Sequence, residues 1–181
     1  GMLFSRSVID AVADYLEAHP VPLVVDPVMV ASSGAKLLSD DAVETLVARL
    51  FPLATVVTPN LAEARVLCAN SAQAKRELAE RLVELGAPAA IVTGGHGEPV
   101  DHLYDGHEHF EIPVERYDVA ATHGAGCTHS ATLAALLARG LPLVAAARGA
   151  ARAAGEAVAH GLSELGAGDG PVDVLNVKGR T

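Results

Sequence analysis

The sequence predicts a single α/β domain over residues 1–181, built on a mostly parallel sheet with helices around it. Three short apolar runs, residues 21–30, 54–60 and 89–95, are separated by amphipathic stretches. Continuous apolar runs are typical of strands buried on both faces of a parallel sheet, and their alternation with helices is typical of βαβ units. With 181 residues, of which 50% are apolar, the chain has enough apolar side chains for one sizeable core.

The first half of the chain alternates helix and strand signals. Residues 8–19 place their apolar side chains at helical spacing, and Pro20 ends this helix. The first predicted strand follows over residues 21–30. A second amphipathic helix is predicted over residues 40–50, and a second short strand ends at Thr58. The order is therefore helix, strand, helix, strand.

The second half continues the alternation and adds a hairpin. The run "AAIVTGG" predicts a third strand that breaks into glycines. Residues 102–104 and 109–112 predict two short strands around the turn Asp105-Gly106, because this dipeptide favours a tight hairpin turn. The remaining segments are predicted to be helical: residues 71–85, residues 128–138, residues 143–161 and a short terminal segment.

Charge and composition restrict the class of function. The formal net charge is −9 and the sequence pI is about 5.2, so the surface should repel nucleic acid and anionic membranes. The apolar stretches are too short to span a bilayer. Cys68 and Cys127 lie far apart and lack metal-ligand spacing. We therefore expect a cytoplasmic protein that binds neither nucleic acid nor membrane.

Polar and glycine residues follow the predicted strands. Asp26, Asn60 and Thr93 come at or just after strand ends, and the glycine turn at residues 124–127 precedes a predicted helix. In parallel sheets, ligands bind where the carboxyl ends of the strands meet the loops. The sequence therefore predicts that these four places contribute to one site.

The glycine turn predicts an anion-binding site. Gly124 and Gly126 lack side-chain bulk and permit positive φ, so the amides from Gly124 through Ala125 to Cys127 can converge on one anion. Cys127 and Thr128 are predicted to open the following helix, whose N-terminus adds partial positive charge. Such donors stabilise the charge of a transferred phosphoryl group, and Cys127 is placed to accept a proton. A tight turn with a buried structural cysteine is the alternative interpretation.

Four stretches in this order carry a family resemblance. They are "VVDPVMVASSGAKLL", "LATVVTPNLAEARVL", "AAIVTGGH" and "THGAGCTHSATLAALLARG". Together they resemble the hydroxymethylpyrimidine (phosphate) kinases of thiamine biosynthesis, a branch of the ribokinase-like superfamily. The resemblance implies a ribokinase-like fold, ATP and Mg²⁺ as co-substrates, and phosphoryl transfer to a pyrimidine hydroxymethyl group or its monophosphate. It covers about the carboxyl-terminal two thirds of a family member, so an N-terminal part is expected to be absent.

The resemblance also implies roles for individual residues. Cys127 corresponds to the general base, in an anion hole with Gly124, Ala125 and Gly126. Asp26 and Glu63 correspond to the metal region. The residues implied for nucleotide binding are Asn60, Thr93, Gly95 and Thr128, and those implied for the pyrimidine pocket are Gly1, Met2 and Met29.

Three of these residues have structural alternatives, and one position departs from the family. Asp26 before Pro27 can cap a turn, Asn60 can cap the helix that carries Glu63, and Met29 can fill the core. Thr93 stands where family members commonly have lysine, which removes a cation from the phosphate region.

Three functions therefore remain open: the pyrimidine kinase, a pyridoxal kinase, and a non-catalytic nucleotide-binding homologue. A cysteine hydrolase is disfavoured because Cys127 lacks a matched His/Asp set. Family members often form homodimers, so the resemblance allows a homodimer and leaves the oligomeric state open.

Overall fold

The computed structural model describes residues 2–30, 37–69, 74–94 and 98–177. The chain divides into two compact units, Gly1–Glu111 and Ile112–Thr181. The described helices are α1 (Arg6–Ala18), α2 (Asp40–Leu50), α3 (Leu61–Leu67), α4 (Lys75–Glu84), α5 (Ala125–Ala138) and α6 (Leu143–Ala159). The described strands are β1 (Val24–Val25), β2 (Val56–Val57), β3 (Ala90–Val92), β4 (Val100–Tyr104) and β5 (His109–Pro113).

The sheet has the order β1-β2-β3-β4-β5. β1 pairs with β2 and β2 with β3 in parallel, whereas β4 runs antiparallel to β3. The strand predicted over residues 21–30 is confirmed in place but shorter, since β1 holds two residues. Pro22 and Pro27 flank it and cannot donate to a ladder, and the amide of Val28 bonds the carbonyl of Asp26 in a turn. The predicted hairpin is confirmed as β4 and β5.

The helices of the first unit pack on each other and on the sheet. α1 contacts α2, and α4 contacts both β3 and β4. Buried side chains from the helices α1 to α4 and the strands β1 to β3 form one core, which includes Ile9 of α1, Leu46 of α2, Val57 of β2 and Leu82 of α4. The helical spacing of apolar residues in the sequence thus corresponds to the faces that are buried.

A guanidinium group ties the exposed sides of α1 and α2 together. Arg49 of α2 forms ion pairs with Asp10, Asp14 and Glu17 of α1, at 2.9, 2.7 and 3.2 Å. Hydrogen bonds to Asp14 and Glu17 raise the pKa of Arg49 above its ordinary range. These pairs are solvent-exposed, so they set the register of the two helices more than they stabilise them.

The second unit is organised around α5 and α6, which pack against each other. The contact is close because α6 presents small side chains: Ala146, Ala147 and Ala150 are fully buried. At Gly149, an added Cβ would lie 2.7 Å from the Cδ1 atom of Leu136. A helix surface of alanine and glycine therefore lets α5 approach without a gap.

The predicted terminal helix is wrong. Residues 162–177 contain turns and bends and no helix. Gly166 and Gly170 adopt φ of 84° and 81°, a conformation that interrupts helical geometry. The backbone forms hydrogen bonds with distant segments instead. The amide of Val172 donates to the carbonyl of His123, and the amide of Asp173 donates to the carbonyl of Ala157.

Among the described residues, no helix combines the length and the apolar character that crossing a membrane requires.

The buried face of α4 gives a stability prediction. Leu82 is fully buried, whereas Leu85 at the end of the same helix is 36% exposed. We expect Leu82→Ala to lower the free energy of unfolding by about 2–5 kcal/mol, because it leaves a cavity in the core. Urea unfolding followed by circular dichroism measures this, with Leu85→Ala as the matched control. Equal losses in the two variants would contradict the assignment of the core face.

Candidate active site

Asn60 and Glu63 are joined at the point where β2 leads into α3. Asn60 is the N-cap of α3, and its side-chain oxygen accepts a hydrogen bond of 2.9 Å from the amide of Glu63. The Glu63 carboxylate accepts one of 2.9 Å from the amide of Asn60. This reciprocal pair is a capping box. The structural alternative for Asn60 is therefore confirmed, and its nucleotide role remains a prediction.

Glu63 is a buried carboxyl group next to a second acid. It is 9% exposed, and burial is the main cause that raises its pKa. The amide of Asn60 opposes this shift, the charge of Asp26 adds to it, and the amide of Met29 opposes it. The predicted metal residues Asp26 and Glu63 are thus close enough to interact electrostatically.

The end of β3 lies beside the capping box. The amide of Thr93 donates to the carbonyl of Pro59 at 3.0 Å, and Thr93 forms a parallel bridge with Asn60. Two of the predicted nucleotide residues are therefore neighbours. The physical cause is that β2 and β3 run parallel, so their carboxyl ends reach the same edge of the sheet.

A buried acid at this edge was not singled out by sequence reasoning. Asp101 of β4 is 3% exposed, and its Oδ1 atom accepts a hydrogen bond of 2.6 Å from the amide of Gly94. The signal available in the sequence is an aspartate inside "VDHLY", where the neighbouring apolar residues predict a buried strand. Its partner could not be identified without the register between β3 and β4.

The predicted pyrimidine-pocket residues have different environments. Met29 is 6% exposed and belongs to the core of the first unit, as its structural alternative predicts. Met2 is 57% exposed. Gly1 and the nucleotide residue Gly95 lie outside the described residues.

The glycine turn forms the N-terminus of α5. Gly124 is the N-cap with a φ of 93°, as predicted, and the helix begins at Ala125. The amide and the hydroxyl of Thr128 both bond the carbonyl of Gly124, at 2.9 and 2.8 Å. Gly126 and Cys127 thus lie in the first turn, where amides have no intrahelical partner. Cys127 is exposed, so the alternative of a buried structural cysteine does not describe it.

One expectation for this turn is wrong: the helix begins at Ala125, two residues before Cys127, which with Thr128 is predicted to open it. Gly126 lies inside α5 and does not have positive φ, which in the turn is confined to Gly124. The reason is that one left-handed residue is enough to direct the chain into the helix. An added Cβ at Gly126 would meet nothing within 4 Å, so this glycine leaves open space beside the first turn of α5.

The predicted site residues form two groups. Asp26, Asn60, Glu63 and Thr93 lie together in the first unit, and the glycine turn with Cys127 and Thr128 lies in the second. That the two groups face one pocket remains a prediction from the sequence.

The predicted metal region offers two carboxylates, Asp26 and Glu63. Within the described ranges, no three His, Cys, Asp or Glu side chains come together as a metal-holding group. Mg²⁺ is bound in phosphoryl-transfer enzymes through one or two carboxylates, and phosphate oxygens and water complete its octahedral shell. The electrostatic coupling of Asp26 and Glu63 therefore fits Mg²⁺ that arrives with a nucleotide.

Comparison with known proteins gives consistent matches. Over residues 1–173 the chain matches the sequence family described as phosphomethylpyrimidine kinase. It is 44% identical over 181 residues to the hydroxymethylpyrimidine/phosphomethylpyrimidine kinase of Rhizobium meliloti, which covers 95% of this chain and 68% of that protein.

Two solved structures are similar over nearly the whole chain. The pyridoxal kinase of Bacillus subtilis in an ADP complex has a TM-score of 0.87 and 33% identity, and the match covers 98% of this chain and 70% of that one. The pyridoxal kinase of Staphylococcus aureus with AMP-PCP has a TM-score of 0.86 and 32% identity, with 98% and 67% covered. The chain spans about two thirds of these relatives, and the predicted α/β fold class is confirmed.

The two glycines of the turn are predicted to differ in their tolerance of a side chain. Gly124→Ala should lower the free energy of unfolding by about 1–2 kcal/mol, because alanine is strained in the left-handed region. Gly126→Ala should cause no such loss, because its Cβ has space and alanine favours a helix. Urea unfolding of both variants checks this. A larger loss in Gly126→Ala would contradict the described geometry.

The buried carboxyl group predicts a pH-dependent stability difference. The raised pKa means that folded Glu63 holds its proton more tightly than the unfolded chain, whose glutamate has the ordinary value of 4.5. The contribution of Glu63 to stability is therefore present below pH 4.5 and is lost as pH rises through the folded pKa.

The matched variant is Glu63→Gln, which removes the titration and keeps an oxygen to accept the Asn60 amide. We expect the free energy of unfolding of the wild type, relative to this variant, to fall as pH rises above 4.5 and through the folded pKa of Glu63. Chemical unfolding at each pH measures it. A difference that rises with pH would show that Glu63 is stabilised as a carboxylate.

Proposed function

Because the chain belongs to the phosphomethylpyrimidine kinase family and is a phosphotransferase, we propose that it transfers the γ-phosphoryl group of ATP to hydroxymethylpyrimidine or its monophosphate. The family match over residues 1–173 carries this proposal. In the reaction, the acceptor oxygen bonds the γ-phosphorus while the bond from that phosphorus to the β,γ-bridging oxygen breaks. ADP leaves. A hydroxymethyl acceptor passes its proton to a base, whereas the monophosphate acceptor attacks through a phosphate oxygen that is already ionised.

The first turn of α5 is proposed to bind the phosphoryl group while it is transferred. Its free amides at Gly126 and Cys127 point along the helix axis, and the macrodipole adds partial positive charge at that end. Removal of one such donor typically costs about 3 kcal/mol of transition-state stabilisation. The space beside Gly126 supports this role, because a phosphate oxygen requires close approach to the backbone.

Cys127 is proposed as the general base that takes the acceptor proton. Its thiol is exposed on the first turn of α5, next to the amides assigned to the phosphoryl group. The acceptor hydroxyl must approach the γ-phosphorus from this side if the anion hole holds that group. A base at this place removes the proton as the new oxygen–phosphorus bond forms.

Asp26 and Glu63 are proposed to hold Mg²⁺, which neutralises phosphate charge when bound. Burial and the neighbouring Asp26 disfavour the charged form of Glu63, and these are conditions that a cation relieves. Asn60 fixes the orientation of Glu63 through the capping box. Its own side chain is committed to the helix, so any contact with nucleotide is made from the remaining polar atoms.

Nucleotide binding is proposed at the edge formed by Asn60 and Thr93. The Staphylococcus aureus relative is described with AMP-PCP, an analogue of ATP, which supports ATP as the co-substrate. Thr93 can donate a hydroxyl hydrogen bond but not a positive charge. Thr128 contributes through α5, and exposed Met2 is the described residue assigned to the acceptor side.

Pyridoxal is the second candidate acceptor. Two solved structures with TM-scores of 0.87 and 0.86 are pyridoxal kinases, whereas the family match names the pyrimidine phosphate. Pyridoxal and hydroxymethylpyrimidine are both small heteroaromatic rings with a hydroxymethyl group. Direct competition between the acceptors is therefore part of the test.

The experiment offers ATP and Mg²⁺ with hydroxymethylpyrimidine, its monophosphate or pyridoxal, and identifies products by mass spectrometry. We expect phosphorylation of the pyrimidine with the highest kcat/KM. Cys127→Ala should lower kcat by about 100-fold or more, because the acceptor proton loses its base. Cys68→Ala makes the same chemical change at the half-buried second cysteine and should leave kcat unchanged.

Three results would contradict parts of the proposal. Faster transfer to pyridoxal than to either pyrimidine would move the assignment to the second candidate. Full activity of Cys127→Ala would remove the thiol from the mechanism. Absence of transfer to all three acceptors, with ATP still bound, would favour the non-catalytic nucleotide-binding homologue.

A further inference from the structure

We infer that Asp101 is a positioning residue, which fixes the backbone of Gly94 where the chain leaves β3 and thereby places the nucleotide edge. This inference rests on the proposed function, because that function assigns ATP to the edge formed by Asn60 and Thr93. Asp101 itself is not assigned a contact with ATP. It acts through the Gly94 amide, and nothing in the proposed chemistry requires its carboxylate to react.

The first observation is a buried charged group with a specific partner. Asp101 is 3% exposed, and its Oδ1 atom lies 2.6 Å from the amide nitrogen of Gly94. Burial of a carboxylate is costly unless it is hydrogen-bonded, and hydrogen bonds to a charged acceptor are the stronger ones. An acid at this place therefore commits the Gly94 amide to one position.

The second observation is that Gly94 has no freedom on its other side. An added Cβ would lie 2.5 Å from the carbonyl oxygen of Val100 and 2.8 Å from its amide nitrogen. The backbones of residues 94 and 100 therefore approach as closely as glycine allows. Asp101, next in the chain to Val100, holds Gly94 in this close approach.

The third observation is that the opposing backbone is itself held. The ammonium group of Lys75, at the start of α4, donates to the carbonyl of Val100 at 2.6 Å and to that of Glu98 at 2.8 Å. Val100 is thus fixed by α4 while Asp101 fixes Gly94 against it. Val92 of β3 pairs with His102 of β4, so the contacts of Gly94 with Val100 and Asp101 lie directly beyond the last pair of this ladder.

Gly94 is joined by one peptide bond to Thr93, which with Asn60 forms the edge proposed to bind the nucleotide. The Thr93 amide is bonded to the carbonyl of Pro59, next to the capping residue Asn60. A shift of Gly94 therefore moves Thr93 relative to Asn60. Misplacement of positioning groups by about 1 Å can cost on the order of 100-fold in enzyme activity.

The test compares Asp101→Ala with Asp101→Asn and Leu103→Ala. Alanine removes the acceptor, whereas asparagine keeps an oxygen that can accept the Gly94 amide. Leu103 is the next residue on the same face of β4 and is fully buried, so its truncation destabilises the strand without touching Gly94. Lys75→Met, which releases Val100 from α4, is the second variant if Asp101→Ala does not fold.

Three quantities are measured on each variant: unfolding in urea, hydrogen exchange of the Gly94 amide by NMR, and the Kd of AMP-PCP with Mg²⁺ by calorimetry. We expect Asp101→Ala to accelerate Gly94 exchange and to raise the Kd about 10-fold. Asp101→Asn should restore most of the affinity. Leu103→Ala should lose stability and keep both the Kd and the Gly94 protection.

The outcomes separate this inference from the proposed function. If the wild type binds AMP-PCP and Asp101→Ala binds it equally well, the inference is overturned while the proposed function stands. An equal rise in Kd in Leu103→Ala and Asp101→Ala would show that loss of stability alone weakens binding. This result would also overturn the inference. If the wild type binds no nucleotide, the proposed function fails. Unchanged exchange of the Gly94 amide in Asp101→Ala would show that Asp101 does not hold Gly94, and would overturn the inference.

Discussion

The reciprocal hydrogen bonds between Asn60 and Glu63 are the constraint on which the first unit's candidate site depends. They fix the point at which β2 stops and α3 begins, and both distances are 2.9 Å. Since β2 contains two residues, the strand itself gives little rigidity to its carboxyl end. The capping box supplies that rigidity, and in doing so it buries Glu63 close to Asp26. The proposed metal region and the start of α3 are thus one structural feature.

Side-chain contacts also fix the end of β3. Strands of two or three residues make few ladder bonds, so the directions in which the chain leaves them are determined by side-chain contacts beyond the ladder. Asp101 and Lys75 provide these contacts to the backbone at Gly94 and Val100. Polar side chains in this protein therefore act on backbone groups at strand ends, whereas the core of the first unit is closed by apolar residues from the helices and strands.

The sequence predicted the order of elements because apolar periodicity records which faces are buried, and α2 coincides with the predicted residues 40–50. It also predicted the adjacency of Asn60 and Thr93, since parallel strands end at one edge. It could not predict the partner of Asp101, because the contact with Gly94, seven residues earlier in the chain, depends on the register between β3 and β4. It failed for the terminal segment, where positive φ at Gly166 and Gly170 outweighs local helical preference.

The electrostatics of Glu63 connect the fold to the proposed use of a cation. Burial raises its pKa, and the charge of Asp26 raises it further, while the amides of Asn60 and Met29 oppose the shift. The protein thus holds two acids where the ionised pair is disfavoured, and the capping box prevents Glu63 from moving away. A divalent cation reverses this balance, because it favours the charged form of both carboxylates. Under the proposed function, a cation bound at this place therefore lowers the pKa of Glu63, and the metal–nucleotide complex stabilises the ionised pair of acids that burial disfavours.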